Sequence, residues 1–300
     1  MLDFEYNGTV YRPPMEANTF LLPVTEGCTH NSCRFCNMYK GIPFRILPIE
    51  QIESIMKEAA DLYHQYGRTL ERVYLVGADP FVLNTEKMKT VTDIVYKYAP
   101  ECRTITMYAA VRNIMIKSDE DLAAMKEMGI NDLYVGVEST LNDVLEYLNK
   151  GNSADDAREQ LLRLNKAGIR HFDMMMTGAA GKGRGEESGK SAAEFFRETK
   201  PAMVIYTTMS VFPGTELEKD VNSGKFTMAR EKEILKEEEV LLENLEQPET
   251  FFWAAHSLDS VRLAGDLTKK NREDMIKTLK EAISTLDEDK FEKTFKRMSL

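Results

Sequence analysis

The sequence predicts an α/β fold, a parallel sheet covered by helices, and three observations carry that prediction. Short apolar runs rich in β-branched and aromatic residues begin near Asn18, Arg72, Thr104, Leu133, His171 and Met203, each far enough from the next to hold a helix between. The intervening segments have helical periodicity. Ile52, Ile55, Met56, Ala59, Leu62 and Tyr66 share one face, as do Leu122, Met125 and Met128, and later Ala157, Leu161 and Leu164. Composition agrees: 43 % hydrophobic and 29 % charged residues, with 17 Gly and 10 Pro, describe an ordinary globular chain rather than a collagen-like or disordered one. Such alternation fits an open doubly wound sheet or a partly closed barrel, and periodicity admits both.

Taken in order, the first strand (Thr19 to Val24) leads into a loop holding Cys28, Cys33 and Cys36 and ending near Pro43. The second leads into Val76-Gly77-Ala78-Asp79-Pro80. The third is preceded by Cys102, read as a small buried residue, and followed by Arg112, a candidate anion contact. The fourth ends in Gly136-Val-Glu138-Ser139, and the fifth carries Met174, Met175 and Met176. The sixth runs into Val211-Phe-Pro213-Gly214-Thr215-Glu-Leu217. After Leu217 the strand signal stops. Met228 to Gln247, Lys270 to about Leu286, and a last short stretch to Met298 read as helices. The expected division is therefore a core over residues 1–218, with an N-terminal extension, and a helical C-terminal cap over 219–300. His256 falls in that cap as a candidate proton donor, with Asp259 three residues on. His64 and His171 are read as structural.

Lys plus Arg is 39 and Asp plus Glu is 49, a net charge of −10. That balance gives little general attraction to phosphate backbones or anionic lipid, so nucleic acid is disfavoured as a partner. No run approaches the roughly 20 apolar residues of a membrane helix. Met1 to Asn7 carries acids where a secretion signal carries bases, and the chain reads as cytoplasmic.

The four cysteines do not form a disulfide framework, because three of them crowd one loop. Loops after parallel strands are where such folds gather ligand-binding groups. Three thiolates can each bind one iron of a cubane, leaving the fourth iron open, whereas electron-transfer clusters take four cysteines. The competing reading is a non-catalytic protein, with zinc completed by His30 or an Fe-S electron-transfer cluster. A glycine-rich segment from Gly178 to Ser191, between the fifth strand and a helix, invites a phosphate-loop reading. It fails because Arg184 stands where Gly189-Lys190-Ser191 would require glycine. The segment is instead expected to be mobile backbone over the site mouth, with Arg184 as a second anion contact.

These motifs in this order resemble the radical S-adenosylmethionine (radical SAM) superfamily, in a branch usually described as predicted Fe-S oxidoreductases. The resemblance implies a partial (β/α)6 TIM-like barrel in which Cys28, Cys33 and Cys36 hold one [4Fe-4S] cluster and Phe35 is the aromatic before the last cysteine. It implies S-adenosylmethionine contacts at Gly77, Ala78 and Asp79 for the amino group, Glu138 and Ser139 for the ribose, and Met176, Val211 and Pro213 near adenine. Two departures from the family pattern stand out: four residues, not three, separate Cys28 from Cys33, and Asp79 replaces a glutamate. Tyr11-Arg-Pro-Pro-Met-Glu16 and Lys150-Gly151 are further matches. The implied activity is reductive cleavage of S-adenosylmethionine to a 5′-deoxyadenosyl radical that abstracts hydrogen from a small-molecule or peptide substrate. An electron donor such as flavodoxin or ferredoxin would supply the electron, and Arg112 and His256 would face the substrate.

Overall fold

The computed structural model describes Tyr6, residues 8–295 and Arg297. Of the expectations above, the acidic stretch Met1 to Asn7, apart from Tyr6, and the helix end at Met298 lie outside the described residues. By packing, the chain forms two compact units. The first takes residues 1–31, 38–136 and 162–171, and the second 32–37, 137–161 and 172–300.

In the first unit, β1 (Phe20–Pro23) is followed by two short strands, β2 (Thr25–Glu26) and β3 (Arg45–Ile46). These two pair antiparallel, and the cysteine loop runs between them. Then come α1 (Ile49–Gln65), β4 (Arg72–Val76), α2 (Thr85–Tyr98), β5 (Thr104–Ala110), α3 (Val111–Met115), α4 (Asp119–Glu127) and β6 (Ile130–Glu138). Strands β1, β4, β5 and β6 lie side by side and parallel. Val73, Leu75, Ile105, Met107, Leu133 and Val135 are fully buried between the helices. The helices start where the sequence directs them: Asn84 caps α2, and Ser118 with Asp121 forms a reciprocal capping box on α4. The N-terminal extension is tied down by one buried acid. Glu16 accepts from Arg72 at 2.6 Å and from the Tyr134 hydroxyl at 2.6 Å, and Arg72 also pairs with Asp132.

The second unit continues with α5 (Asn142–Tyr147), α6 (Ala154–Ala167), β7 (Arg170–Thr177), α7 (Gly185–Thr199), β8 (Met203–Thr208), α8 (Glu216–Asn222) and α9 (Glu231–Asn244). It ends with β9 (Phe251–Ala254), β10 (Leu263–Asp266), α10 (Lys269–Thr285) and α11 (Glu288–Thr294). Helix α6 and strands β6 and β7 have residues in both units. Strand β8 pairs parallel with β7 and with β9, and β10 returns antiparallel to β9. The tail after residue 218 is thus not wholly helical. Its two strands are only four residues long, and neighbouring backbone specifies them more than any period of their own. His256 accordingly lies in the β9–β10 connection rather than on a helix.

The glycine-rich segment is also resolved differently. Helix α7 begins at Gly185, so Gly189, Lys190 and Ser191 are helical, not loop. A Cβ on Gly189 would stand 2.5 Å from the Glu237 carbonyl oxygen, and one on Gly185 would stand 2.9 Å from that of Glu233. Glycine at this four-residue spacing lets α7 lie directly on the backbone of α9. Arg184, expected as an anion contact, pairs instead with Asp143 and Glu187.

Across this contact the Glu237 carboxyl accepts from the Ser188 hydroxyl at 2.6 Å and from the Gly178 N–H at 2.8 Å, just past the end of β7. Burial pushes its pKa up to about 7, against those two bonds. A raised acid binds its proton more tightly in the folded state. Stability is therefore complete below the ordinary value near 4.5 and falls as pH rises to about 7. The full effect is about 3 kcal/mol. Asp259, raised to about 6, and Glu238 tilt the curve the same way, so the comparison must be with the wild type. Glu237→Gln is expected to flatten the decline in urea midpoint between pH 5 and 7.5, and an unchanged slope would contradict the assignment.

Candidate active site

Each unit brings together a set of the expected residues, and each set begins in the cysteine loop. In the first unit, β4 ends at Val76 and the chain turns at Gly77 with φ of +150°. A Cβ there would stand 1.9 Å from Oγ1 of Thr25 and 2.9 Å from its carbonyl oxygen, so only glycine fits. Ala78 is half-buried. Asp79 is almost wholly buried, at 1 % exposure. Its Oδ2 accepts from the hydroxyl of Thr29, the residue after Cys28, and from Arg112 Nη2 at 3.2 Å. Arg112 also reaches Thr29 Oγ1 at 3.1 Å. Asp79 Oδ1 is buried and has no hydrogen-bond partner. A buried carboxylate oxygen without a donor is costly, and the complement to it is a cationic N–H donor.

Cys28 is half-buried and accepts from the Asn31 N–H at 3.4 Å. The turn is held by Asn31 Nδ2 donating to the Tyr39 carbonyl at 2.9 Å.

In the second unit, Cys33 and Cys36 are half-buried thiols flanking Arg34 and Phe35. The segment is anchored strongly. Arg34 N–H donates to the Leu148 carbonyl at 3.0 Å, and the Leu217 N–H donates to the Arg34 carbonyl at 2.9 Å. The Arg34 guanidinium pairs with Asp220 and lies 5.2 Å from the Tyr147 ring centre, while Tyr147 donates to Asp220 at 2.8 Å. Sequence reading passed over this clamp, because its partners stand far along the chain. Arg34, inside the motif itself, was the available signal.

Phe35, Met176 and Val211 join one apolar cluster with Leu148, Ala179 and Met209. Lys150 sits 5.9 Å from the Phe35 ring centre and donates to Glu138 at 3.1 Å. Glu138 itself has a left-handed backbone, φ of +67°. Ser139 is buried and accepts from the Leu141 N–H. Pro213 is exposed, and its carbonyl accepts from Asn37 at 3.3 Å. Thr215 behind it caps α8. Lys150 was legible only as a family match, not as the partner of Glu138.

His256 is half-buried. Its Nδ1 accepts from the Leu258 N–H at 3.2 Å, and burial followed by the Arg262 charge lowers its pKa. The ring is therefore neutral with its proton on Nε2. Asp259 accepts from the His256 N–H and from both N–H and hydroxyl of Thr208, tying the β9–β10 connection to the end of β8. Cys102 is buried and its thiol pushed up to about 11 by burial, as expected of a packing residue. His64 pairs with Glu101, and His171 is fully buried. No described helix is long and apolar enough to cross a membrane.

The family model described as the radical SAM superfamily matches residues 22–195. An uncharacterised methyltransferase of Pyrococcus horikoshii is 24 % identical over 193 residues, 64 % of this chain and 40 % of that protein. The heme chaperone HemW of Bacillus subtilis is 23 % identical over 158 residues, 52 % of this chain and 41 % of that protein. The chain thus spans about two fifths of the length of these curated relatives. Among solved structures, that of methylornithine synthase superposes with a TM-score of 0.56 at 20 % identity, over 80 % of this chain and 65 % of that one, and shows the same fold. With more than half its length matched, the chain belongs to the radical SAM superfamily of enzymes, whose cofactors are a [4Fe-4S] cluster and S-adenosylmethionine.

Proposed function

We propose that this enzyme holds a single [4Fe-4S] cluster on Cys28, Cys33 and Cys36 and acts on a small molecule or peptide by hydrogen abstraction. The observation that carries the reading is the buried, unpartnered Oδ1 of Asp79, on a carboxylate bonded to the residue that follows Cys28. An acceptor of that kind suits the amino group of S-adenosylmethionine. When bound, the cofactor pair supplies one-electron cleavage of a carbon–sulfur bond and a 5′-deoxyadenosyl radical.

The chain's own residues bind and shield. Gly77 and Ala78 offer backbone beside Asp79. Glu138, held by Lys150, accepts from the ribose hydroxyls with Ser139 beside it. Phe35, Met176 and Val211 form an apolar wall, and Pro213 turns the backbone toward adenine. Keeping water out of such a site protects the reactive species. Apart from His256, which faces the substrate as a neutral Nε2–H donor, this machinery lies within residues 1–218. Cys102 is too deeply buried to serve a second cluster. A flavodoxin or ferredoxin supplies the electron.

The test is anaerobic reconstitution with iron and sulfide, reduction with dithionite, and mass spectrometry for 5′-deoxyadenosine after adding S-adenosylmethionine. Four irons with product formed support the reading. Zinc, or a cluster that leaves the cofactor intact, sinks it. His30→Ala is expected to leave iron content and the cluster spectrum unchanged; loss of either would move the assignment to a histidine-completed site.

A further inference from the structure

We propose that Thr29 and Arg112 are positioning residues that lock the Asp79 carboxylate, directing Oδ1 alone at the ammonium group of a bound α-amino acid moiety. The proposal rests on the reading of Asp79 as the contact for the S-adenosylmethionine amino group. It assigns Arg112, expected at the substrate, to the cofactor side instead.

Two departures from the family pattern meet at this one contact. Asp79 carries its carboxylate on a stem one methylene shorter than glutamate. Thr29 is the first residue of the enlarged gap between Cys28 and Cys33, and it donates to that carboxylate. A carboxylate with one donor can still rotate about its last torsion and exchange its oxygens. Here two donors converge on the same oxygen: Thr29 and, at 3.2 Å, Arg112, which also bonds Thr29 at 3.1 Å. The closed triangle fixes the rotation.

Oδ1 is left buried without a donor, although Asp79 is only 1 % exposed. The charges also select a ligand class. Asp79 and Arg112 already neutralise one another, so a plain amine would add an uncompensated cation. An α-amino acid brings its own carboxylate. Only Nη2 of Arg112 is used in the bonds to Asp79 and Thr29, which leaves guanidinium N–H groups to donate to that carboxylate.

The test uses the reconstituted holoenzyme and two unreactive probes. S-adenosylhomocysteine carries the amino acid moiety, and 5′-methylthioadenosine lacks it. Dissociation constants by calorimetry are expected to rise about tenfold for S-adenosylhomocysteine in Thr29→Val and about ten- to hundredfold in Arg112→Met, the range for lost bonds to charged groups. Thr29→Ser, which keeps the hydroxyl, should bind like wild type. Affinity for 5′-methylthioadenosine should be the same in all four proteins, with equal iron and sulfide content. Thr29 is exposed, so its replacements should fold. Wild-type affinity of Thr29→Val for S-adenosylhomocysteine overturns the proposal. So does a parallel loss of both probes or of iron, which would mark Thr29 as a residue that merely shapes the cysteine loop. If the wild type binds 5′-methylthioadenosine but gains nothing from the amino acid moiety, the reading of Asp79 itself fails.

Discussion

Cys28→Ala, Cys33→Ala and Cys36→Ala are each expected to reduce 5′-deoxyadenosine formation to background. The three thiols are half-buried in one loop, and each is expected to supply the sole protein ligand to one iron. Alanine leaves that iron with no ligand in its place. The buried Cys102 offers no ready replacement, since it lies before β5 with its thiol raised to about 11. Iron and sulfide per chain, absorbance of the reconstituted protein and product yield should therefore fall together in each variant. Cys102→Ala, in contrast, should keep all three. Full activity in any one of the loop variants would remove that cysteine from the ligand set. Full loss in Cys102→Ala would reopen the count of clusters.

The second large effect is on stability, at the seam between α7 and α9. Gly189→Ala would ordinarily gain about 1 kcal/mol from helix propensity. Here the new Cβ meets the Glu237 carbonyl oxygen at 2.5 Å, with the Leu241 nitrogen at 3.2 Å. Both are backbone atoms of a helix and cannot rotate aside. Overpacking of that kind costs about 1–3 kcal/mol, so alanine is neutral to destabilising by about 2 kcal/mol. Gly189→Val loses the propensity gain and adds two methyl groups, and is expected to cost about 3 kcal/mol or more. Urea unfolding of the two variants measures it. A wild-type midpoint for Gly189→Val would mean that α7 and α9 are not in backbone contact.

Much of this is legible in the sequence. The apolar runs beginning at Arg72, Thr104 and Met203 coincide with the starts of β4, β5 and β8, and the run near His171 misses β7 by one residue. Strand β6 starts at Ile130, ahead of the expected Leu133, because Asn131 and Asp132 interrupt the apolar signal. Asp132 is nevertheless buried in the sheet, paired with Arg72 and Arg170, where a sequence window sees only an acid. The glycines at 185 and 189 misled for a related reason. Glycine marks a turn by its torsions and a helix contact by its missing side chain, and spacing alone does not separate the two.

The sequence by itself determined the alternation of strand and helix, the family, and the three-cysteine loop with its two departures. These are patterns between near neighbours in the chain, repeated often enough to be read by eye. Only the tertiary structure decided what the distant residues do: that Arg112 and Thr29 share Asp79, that Arg34 is held by Asp220, that Glu16 anchors the N-terminal extension, and that β9 and β10 complete the tail. Such pairs join side chains tens to hundreds of positions apart. Their geometry arises when packing brings the elements together, and no local period encodes it.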